Sequence, residues 1–242
     1  MNIKLKIQYD GTNFCGSQVQ VAQRTVQSEL DSALEKLFGH KIITVFSGRT
    51  DSGVHAKEQT VNFITERSAV PPEKIMYPLN KLLPHDMLVL SSEHVADEFN
   101  SRFDAKKRTY RYFIRRHPEL FRNKYSLIYP YDIDTEKLNS SAELFKGEKN
   151  FQAFCSMHAE VRNYICDIKE LYFFREKDEV VMEIASNRFL QNMVRIIVSA
   201  FLELNKNRIS ENDIKYMFEQ KDRRLSPKTI SPKGLFLWKV DY

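Results

Sequence analysis

The segment IITVFSGRTDSGVH, residues 42–55, is the stretch around which this chain of 242 residues is organised. Its first five residues are all β-branched or aromatic, and such a run leading to a glycine indicates a buried strand that continues into a loop. The loop carries Arg49 and Asp51 between Gly48 and Gly53, which allow tight turns or a close approach to a ligand. Loops at the end of a rigid strand are common places for catalytic groups. On this segment alone, an Asx-turn made by Asp51 beside a solvated arginine is the alternative interpretation.

The residues on either side predict the element order β-α-β-β-α-β for the first half of the chain. Apolar and polar residues alternate from Asn2 to Tyr9, which indicates a strand with one buried face. Thr25 and Gly39 are the start and stop signals of a helix between them. The other predicted elements of this half are strands at 42–46, 59–64 and 87–90 and a helical segment at 71–83.

The second half shows the same order of elements without a visible sequence repeat. We therefore expect an α+β fold of two ferredoxin-like (RRM-like) halves, residues 1–104 and 105–242, with the boundary in residues 98–106. The predicted elements are strands at 108–115, 125–129, 163–174, 179–185 and 235–240, and helices at 135–147, 190–204 and 211–220.

Composition favours a protein of the reducing cytoplasm, with nucleic acid as the candidate partner and a solvated basic surface without a partner as the alternative. Lysine and arginine total 37 against 32 acidic residues, a net charge of +5 that is informative only where it is clustered. Cys15, Cys155 and Cys166 form neither a C-x-x-C pair nor a disulfide framework, and the six histidines show no metal-ligand spacing. No apolar run approaches the ~18 residues of a membrane helix. We expect no metal, no leader and no membrane contact.

A cluster of cations and aromatic residues begins at the predicted boundary. The combination of basic and aromatic side chains suits RNA, because cations neutralise phosphates while aromatic rings stack on splayed bases. On a strand, Tyr110 and Tyr112 would share one face and Arg111 would lie on the other. A charged edge strand with aromatic residues in the core is the alternative. The members are Arg102, Phe103, Lys106, Lys107, Arg108, Tyr110, Arg111, Tyr112, Phe113, Arg115 and Arg116.

The predicted helix at 190–204 carries Arg195 on a polar stripe beside a wide apolar one. Such an arginine commonly pairs with a neighbour such as Glu203 or extends to solvent. A guanidinium directed at Asp51 would instead keep that carboxylate ionised in a poorly hydrated pocket, as a nucleophile or base requires.

Taken together, these motifs resemble the TruA family of tRNA pseudouridine synthases, and the resemblance covers nearly the whole chain. The G-R-T-D-x-G-V-H pattern is the most specific of them. The matching residues, in order, are Tyr9-Asp10-Gly11-Thr12, Gly16 with Gln18, GRTDSGVHA at 48–56, Asn80 with Leu83-Pro84, Phe103, Arg108 with Tyr110 and Tyr112, Asn192-Met193-Val194-Arg195, and Gly234-Leu235.

The resemblance implies two ferredoxin-like halves that form one continuous mixed or antiparallel sheet, with helices on one side and a central catalytic cleft. It implies a cytoplasmic homodimer that binds the anticodon arm of tRNA across both subunits. The implied reaction is the cofactor-free isomerisation of uridine to pseudouridine in the anticodon stem-loop, at the positions conventionally numbered 38, 39 and 40.

The resemblance also implies roles for individual residues. Asp51 would be the catalytic nucleophile, attacking either the base or the ribose, and Arg195 would form an ion pair with it. Tyr110 would stack on the uracil and assist removal of the C5 proton, and Arg49 would fill the space left by the flipped base. The further predicted substrate-binding residues are His55, Arg108 and Arg111.

Three positions depart from the family pattern and leave other substrates open. Ser17, Ser199 and Ser231 stand where tryptophan, glycine and alanine are usual. The catalytic residues are unaffected, so the same chemistry on another tRNA site or on ribosomal RNA is an alternative. A non-catalytic RNA-binding protein is a second alternative. The third is an aspartyl phosphatase, for which this chain has Gln8 in place of the nucleophilic aspartate.

Overall fold

The computed structural model describes residues 1–66, 68–159 and 161–242. The chain divides into two compact units, the first made of Met1–Lys106 and Phe236–Tyr242, the second of Lys107–Leu235. The strands are β1 Asn2–Tyr9, β2 Val45–Phe46, β3 His55–Ile64, β4 Met87–Val95, β5 Lys107–Arg115, β6 Leu127–Ile128, β7 Gly147–Asn150, β8 Ile165–Glu176, β9 Glu179–Ser186 and β10 Leu235–Asp241. The helices are α1 Val26–Phe38, α2 Met76–Asn80, α3 Thr135–Ala142, α4 Met193–Asn205 and α5 Glu211–Gln220. The mixed α+β class predicted from the sequence is confirmed.

The sheet of the first unit has the order β4-β1-β3-β10. β1 is antiparallel to both β3 and β4, whereas β10 runs parallel to β3 with Phe236 opposite His55. The inward residues Ile3, Leu5 and Ile7 of β1 are fully buried, as their alternation predicts. β2 pairs antiparallel with β3 and ends directly before Ser47, where the loop that carries Asp51 begins.

Helix α1 shows how local sequence signals set an element. The Thr25 hydroxyl accepts a hydrogen bond from the Ser28 amide, and the Ser28 hydroxyl accepts one from the Thr25 amide, which completes a capping box. Gly39 ends the helix at φ 75°, a backbone conformation that glycine adopts without strain. Both predicted ends of this helix are confirmed.

The sheet of the second unit has the order β5-β9-β8-β7, with antiparallel neighbours throughout. β6 pairs in parallel with β5. The core of this unit includes the apolar face of α4 and a group of phenylalanine rings in contact with one another. These rings belong to Phe145, Phe151, Phe154, Phe173, Phe201 and Phe218.

Four predicted elements are at least three residues shorter than expected, among them the strand at 125–129, which is reduced to β6, and one strand was not predicted. The strand at 42–46 shrinks to β2 because side chains of α1 satisfy the backbone of Thr44: its amide donates to Asp31 and its carbonyl accepts from Gln27. The segment at 71–83 splits into a 3-10 turn and the short α2, and the helix at 135–147 ends at Ala142. The strand β7 has the polar sequence GEKN, which carries no strand signal.

Among the described residues, no helix has the length and apolar character needed to cross a membrane.

Candidate active site

The loop at residues 47–54, here called the Asp51 loop, is anchored to β3 at its first end. The Ser47 amide donates to the Thr60 carbonyl at 2.9 Å. The buried Gln59 side chain then bridges the loop, accepting from the Ser47 hydroxyl and donating to the Gly48 carbonyl at 2.9 Å. A glutamine amide can accept and donate at once, so a single side chain holds two consecutive loop residues.

The second end of the Asp51 loop is anchored to the turn that follows β1. The Gly53 amide and the Ser52 hydroxyl both donate to the Phe14 carbonyl at 3.2 Å. Gly53 has φ 77°, which favours glycine at this position. A Cβ on Gly11 would lie 2.0 Å from the Val54 carbonyl oxygen. The turn at Gly11 and the end of the Asp51 loop therefore lie closer together than any side chain at position 11 would permit.

Thr50 holds the middle of the loop. Its hydroxyl lies 2.8 Å from the hydroxyl of Tyr9 in a buried environment. Its amide donates to the Ser17 hydroxyl at 2.9 Å, and its carbonyl accepts from the Ser17 amide at 3.1 Å. Burial raises the pKa of Tyr9 to about 12, and the hydrogen bonds to Thr50 and Gln59 oppose that rise. The phenol is therefore neutral at physiological pH and acts as a fixed hydrogen-bonding group.

Arg49 and Asp51 flank Thr50 in sequence and are more exposed to solvent than Thr50 is. Thr50 is buried, whereas Asp51 is half-buried and Arg49 is exposed. The Asp51 carbonyl accepts from the Val54 amide at 3.1 Å, which closes a turn directly after the carboxylate. The loop thus presents one carboxylate and one guanidinium on a backbone that is fixed on both sides.

His55, predicted to bind substrate, lies in the core of the first unit with 1% of its surface exposed. Its ring stacks on Phe236 with the ring centres 4.6 Å apart. The Gly11 amide points at Nδ1 from 3.0 Å, and an oxygen of Asp10 lies 3.1 Å from the same nitrogen. The two contacts favour opposite protonation states of Nδ1, because the amide needs an acceptor and the carboxylate needs a donor.

Tyr110 and Arg108 lie on β5 in the second unit. Tyr110 is 8% exposed, and its ring meets that of Phe189 edge to face at 5.1 Å. The Arg108 guanidinium donates to the Asn187 carbonyl at 2.7 Å. Both contacts involve the segment between β9 and α4, which therefore shapes the surroundings of the tyrosine ring.

Arg111 takes part in a cluster with residues of β8 and β9, on the face of β5 opposite to Tyr110, as the alternation along β5 predicts. Its Nε donates to Glu183 at 2.5 Å, and its guanidinium lies 5.5 Å from the centre of the Phe174 ring. The Tyr172 hydroxyl donates to the other oxygen of the same carboxylate. The contact of Arg111 with substrate stays a prediction.

Arg195 projects from the first turn of α4 toward the segment that precedes β10. Its Nε donates to the Ile230 carbonyl at 2.7 Å, and Nη1 donates to the Asn192 side chain at 2.8 Å. The fully buried Tyr112 holds the next residue of that segment, donating to the Ser231 carbonyl at 2.7 Å. Burial raises the pKa of Tyr112, and the positive charge of Arg195 opposes that rise.

The predicted site residues are therefore divided between the two units. The first unit contains Arg49, Asp51 and His55, and the second contains Arg108, Tyr110, Arg111 and Arg195. The predicted ion pair between Asp51 and Arg195 stays a prediction. Within residues 1–66, 68–159 and 161–242, no group of three or more His, Cys, Asp or Glu side chains could hold a metal ion.

Sequence reasoning missed two anchors of the Asp51 loop, Ser17 and Gln59. Gln59 had a weak signal, because it begins the predicted strand that follows the loop. Ser17 was noticed only as a departure from the family pattern, since nothing in a sequence indicates a bond between residues 33 positions apart.

Comparison with known proteins gives a family. The model of the family described as tRNA pseudouridine synthase matches residues 6–104 and 141–242. A protein named tRNA pseudouridine synthase A from Bacillus licheniformis is 42% identical over 246 residues, with 100% of this chain and 99% of the relative covered. Proteins of the same name from Bacillus subtilis and Caldicellulosiruptor saccharolyticus are 41% and 40% identical at the same coverage. The chain therefore belongs to the tRNA pseudouridine synthase family.

Proposed function

We propose that this protein isomerises uridine to pseudouridine in the anticodon stem-loop of tRNA, at positions 38, 39 and 40. The observation that carries the proposal is Asp51, a half-buried carboxylate on a loop anchored at both ends and in the middle, within a chain that matches this family over its whole length. The names of the matched relatives support tRNA as the substrate.

The reaction exchanges one bond of the nucleoside for another. The bond between N1 of uracil and C1′ of ribose breaks, the ring turns, and a bond between C5 and C1′ forms. The C5 proton leaves and N1 gains a proton, so no oxidant or reductant is consumed. A carboxylate nucleophile divides this change into two steps through a covalent intermediate, and Asp51 is the residue that we assign to that role.

The remaining assignments follow from charge and shape. Arg195 pairs with Asp51 and keeps it ionised, while Tyr110 supplies the aromatic surface on which the flipped uracil is held. Arg49 is exposed next to Asp51, as a group that replaces a flipped base must be. Arg108 lies close enough to Tyr110 along β5 to bind a neighbouring phosphate.

His55 and Arg111 have partners that suggest indirect contributions to substrate binding. The burial of His55 between Asp10, Gly11 and Phe236 supports a role in setting the end of the Asp51 loop. The pairing of Arg111 with Glu183 supports a role in shaping the sheet surface that RNA would meet.

We further propose that residues 1–104 and 105–242 form the two ferredoxin-like halves. The mostly antiparallel strands and the helices present in each compact unit support this proposal. We also propose a cytoplasmic homodimer, which sedimentation velocity on the purified chain would test. A monomer at micromolar concentration would contradict the dimer.

Mapping of pseudouridine at single-nucleotide resolution tests the function. Unmodified tRNA transcripts and ribosomal RNA would be treated with wild type, with Asp51→Asn, and with Asp97→Asn as the control. The control removes one exposed carboxylate of the same unit, outside the loop. We expect pseudouridine in the anticodon arm with wild type and Asp97→Asn and none with Asp51→Asn.

Other outcomes would redirect the proposal. Modification confined to ribosomal RNA or to another tRNA site would keep the chemistry and discard the substrate. Equal modification by wild type and Asp51→Asn would contradict the nucleophile. Binding of RNA without any isomerisation would leave a non-catalytic RNA-binding protein.

A further inference from the structure

We propose that Ser17 is a positioning residue whose hydroxyl holds the Asp51 loop in its reactive shape. The proposal rests on the function proposed above and adds a residue that the sequence motifs did not assign. It concerns the contact between the turn at residues 16–17 and Thr50, the residue immediately before Asp51.

The contact consists of two hydrogen bonds that link the same two residues. The Ser17 amide donates to the Thr50 carbonyl at 3.1 Å, and the Thr50 amide donates to the Ser17 hydroxyl at 2.9 Å. Ser17 is 1% exposed and Thr50 is 6% exposed. Water has little access to this pair, so a lost bond would leave a buried amide without compensation from solvent.

In this chain a small residue with an acceptor lies beside Thr50. A Cβ on the preceding Gly16 would lie 2.9 Å from the Thr50 carbonyl oxygen, and Gly16 has φ 91°, so the backbones approach closely here. A serine hydroxyl fits beside this approach and can accept the amide hydrogen. The tryptophan usual in the family pattern has only an N–H donor, so this side-chain bond is a property of the present chain.

The other side of the turn is tied to a helix. The Val26 amide donates to the Gly16 carbonyl at 3.2 Å, and the Gln27 amide donates to the Ser17 carbonyl at 2.9 Å. These are amides of the first turn of α1, which otherwise have no partner within a helix. Ser17 therefore connects the start of a capped helix to the residue next to the nucleophile.

The expected consequence concerns turnover more than binding. Asp51 must reach its target atom within a narrow range of distance and angle, so a small displacement lowers the rate of the chemical step. The groups that grip phosphates lie elsewhere and would be unaffected. Loss of the Ser17 hydroxyl should therefore lower kcat while KM changes little.

The test compares Ser17→Ala and Ser17→Thr with a matched control, Ser92→Ala. Ser92 is also a buried serine of the first unit, 5% exposed, and its hydroxyl accepts from the Met76 amide at 3.1 Å. Each alanine variant thus removes one buried hydroxyl from one backbone amide. The measurements are kcat and KM on a tRNA transcript, and hydrogen exchange of the Thr50 amide by NMR.

We expect Ser17→Ala to lower kcat about tenfold with KM within about twofold, and to speed exchange of the Thr50 amide. Ser17→Thr, which keeps the hydroxyl, should retain kcat within about threefold, and Ser92→Ala should retain both kcat and Thr50 protection. A kcat for Ser17→Ala equal to that of Ser92→Ala, with wild type active, would overturn the positioning role alone. A wild type that isomerises no uridine would overturn the proposed function and this inference with it.

Discussion

The hydroxyl groups of Tyr9 and Thr50 lie 2.8 Å apart in the buried part of the first unit, although the two residues are 41 positions apart in sequence. Tyr9 ends β1, a strand paired on both sides, so its ring has little freedom to move. The bond therefore restricts the movement of Thr50, the residue that precedes Asp51.

Replacement of Tyr9 by phenylalanine should weaken this link without changing the packing. We expect Tyr9→Phe to lower the free energy of unfolding by roughly 1–2 kcal/mol, because the hydrogen bonds of the hydroxyl to both Thr50 and Gln59 are lost. Turnover should fall several-fold because Thr50 loses its bond to the Tyr9 side chain and keeps only its bond to the Ser17 side chain. Urea unfolding and kcat on a tRNA transcript would measure the two effects, and an unchanged kcat would show that the bond serves stability alone.

The raised pKa of Tyr9 predicts a loss of stability at alkaline pH. The phenol titrates near 10 in the unfolded chain and at about 12 in the folded one. Between these values only the folded state keeps the proton, so stability present below pH 10 is lost as the pH rises toward 12. Two pH units correspond to roughly 2–3 kcal/mol.

Urea unfolding at pH 8.5 and pH 11 would measure about half of this contribution, because pH 11 lies midway between the pKa values of the unfolded and folded states. We expect Tyr9→Phe to lose less stability than wild type between the two pH values, because phenylalanine has no proton to release. Tyr112, whose pKa is also raised by burial, acts in the same direction and is present in both proteins. An equal loss in wild type and Tyr9→Phe would contradict the prediction.

Two glycine substitutions should separate steric exclusion from backbone strain. A Cβ on Gly11 would lie 2.0 Å from the Val54 carbonyl oxygen, whereas a Cβ on Gly39 would meet nothing within 4 Å. We expect Gly11→Ala to cost more than about 3 kcal/mol, or to displace the Asp51 loop and abolish turnover. Gly39→Ala should cost only about 1 kcal/mol from its positive φ and keep full turnover. Thermal unfolding and kcat of both variants check this, and equal effects would contradict it.

Arg195 and Tyr112 donate to the neighbouring carbonyls of Ile230 and Ser231. Two substitutions can therefore separate the effect of the Arg195 charge from the effect of the hydrogen bonds that hold this segment. Tyr112→Phe removes the bond to Ser231, and Arg195→Met removes the bonds to Ile230 and Asn192 together with a positive charge. We expect kcat to fall at least about 100-fold in Arg195→Met and less than about fivefold in Tyr112→Phe. Similar losses in both variants would indicate that Arg195 acts only by holding the segment.

The pair formed by Arg111 and Glu183 should be coupled in stability. Arg111→Met leaves a mostly buried carboxylate without its cation, and we expect a cost of about 2 kcal/mol. In the double variant with Glu183→Gln the two costs should be less than additive, because the unpaired charge is removed. A rise in KM for tRNA in Arg111→Met beyond that in Glu183→Gln would favour direct contact of Arg111 with RNA. Equal KM values would favour a structural role.

Local patterns were sufficient for the elements whose signals are short-range. The caps Thr25 and Gly39 act on backbone groups within one helical turn, so α1 could be predicted at both ends. The period-2 alternation along β1 likewise predicted which residues are buried, whereas in β5 Thr109 and Phe113, on the same face as Arg111, are buried as well. Such signals fail where tertiary contacts replace them, as at Thr44, whose backbone bonds to Asp31 and Gln27 instead of a strand.

The sequence by itself determined the chemical groups: a carboxylate in a glycine-bounded loop, an aromatic and basic strand, and an arginine on an apolar helix. Their order along the chain was enough to indicate the family. Only the tertiary structure decided how the Asp51 loop is held, through Tyr9, Ser17 and Gln59. The physical reason is that a hydrogen bond depends on distance and direction in space, and residues far apart in sequence acquire these only when the sheet and helix around them have packed.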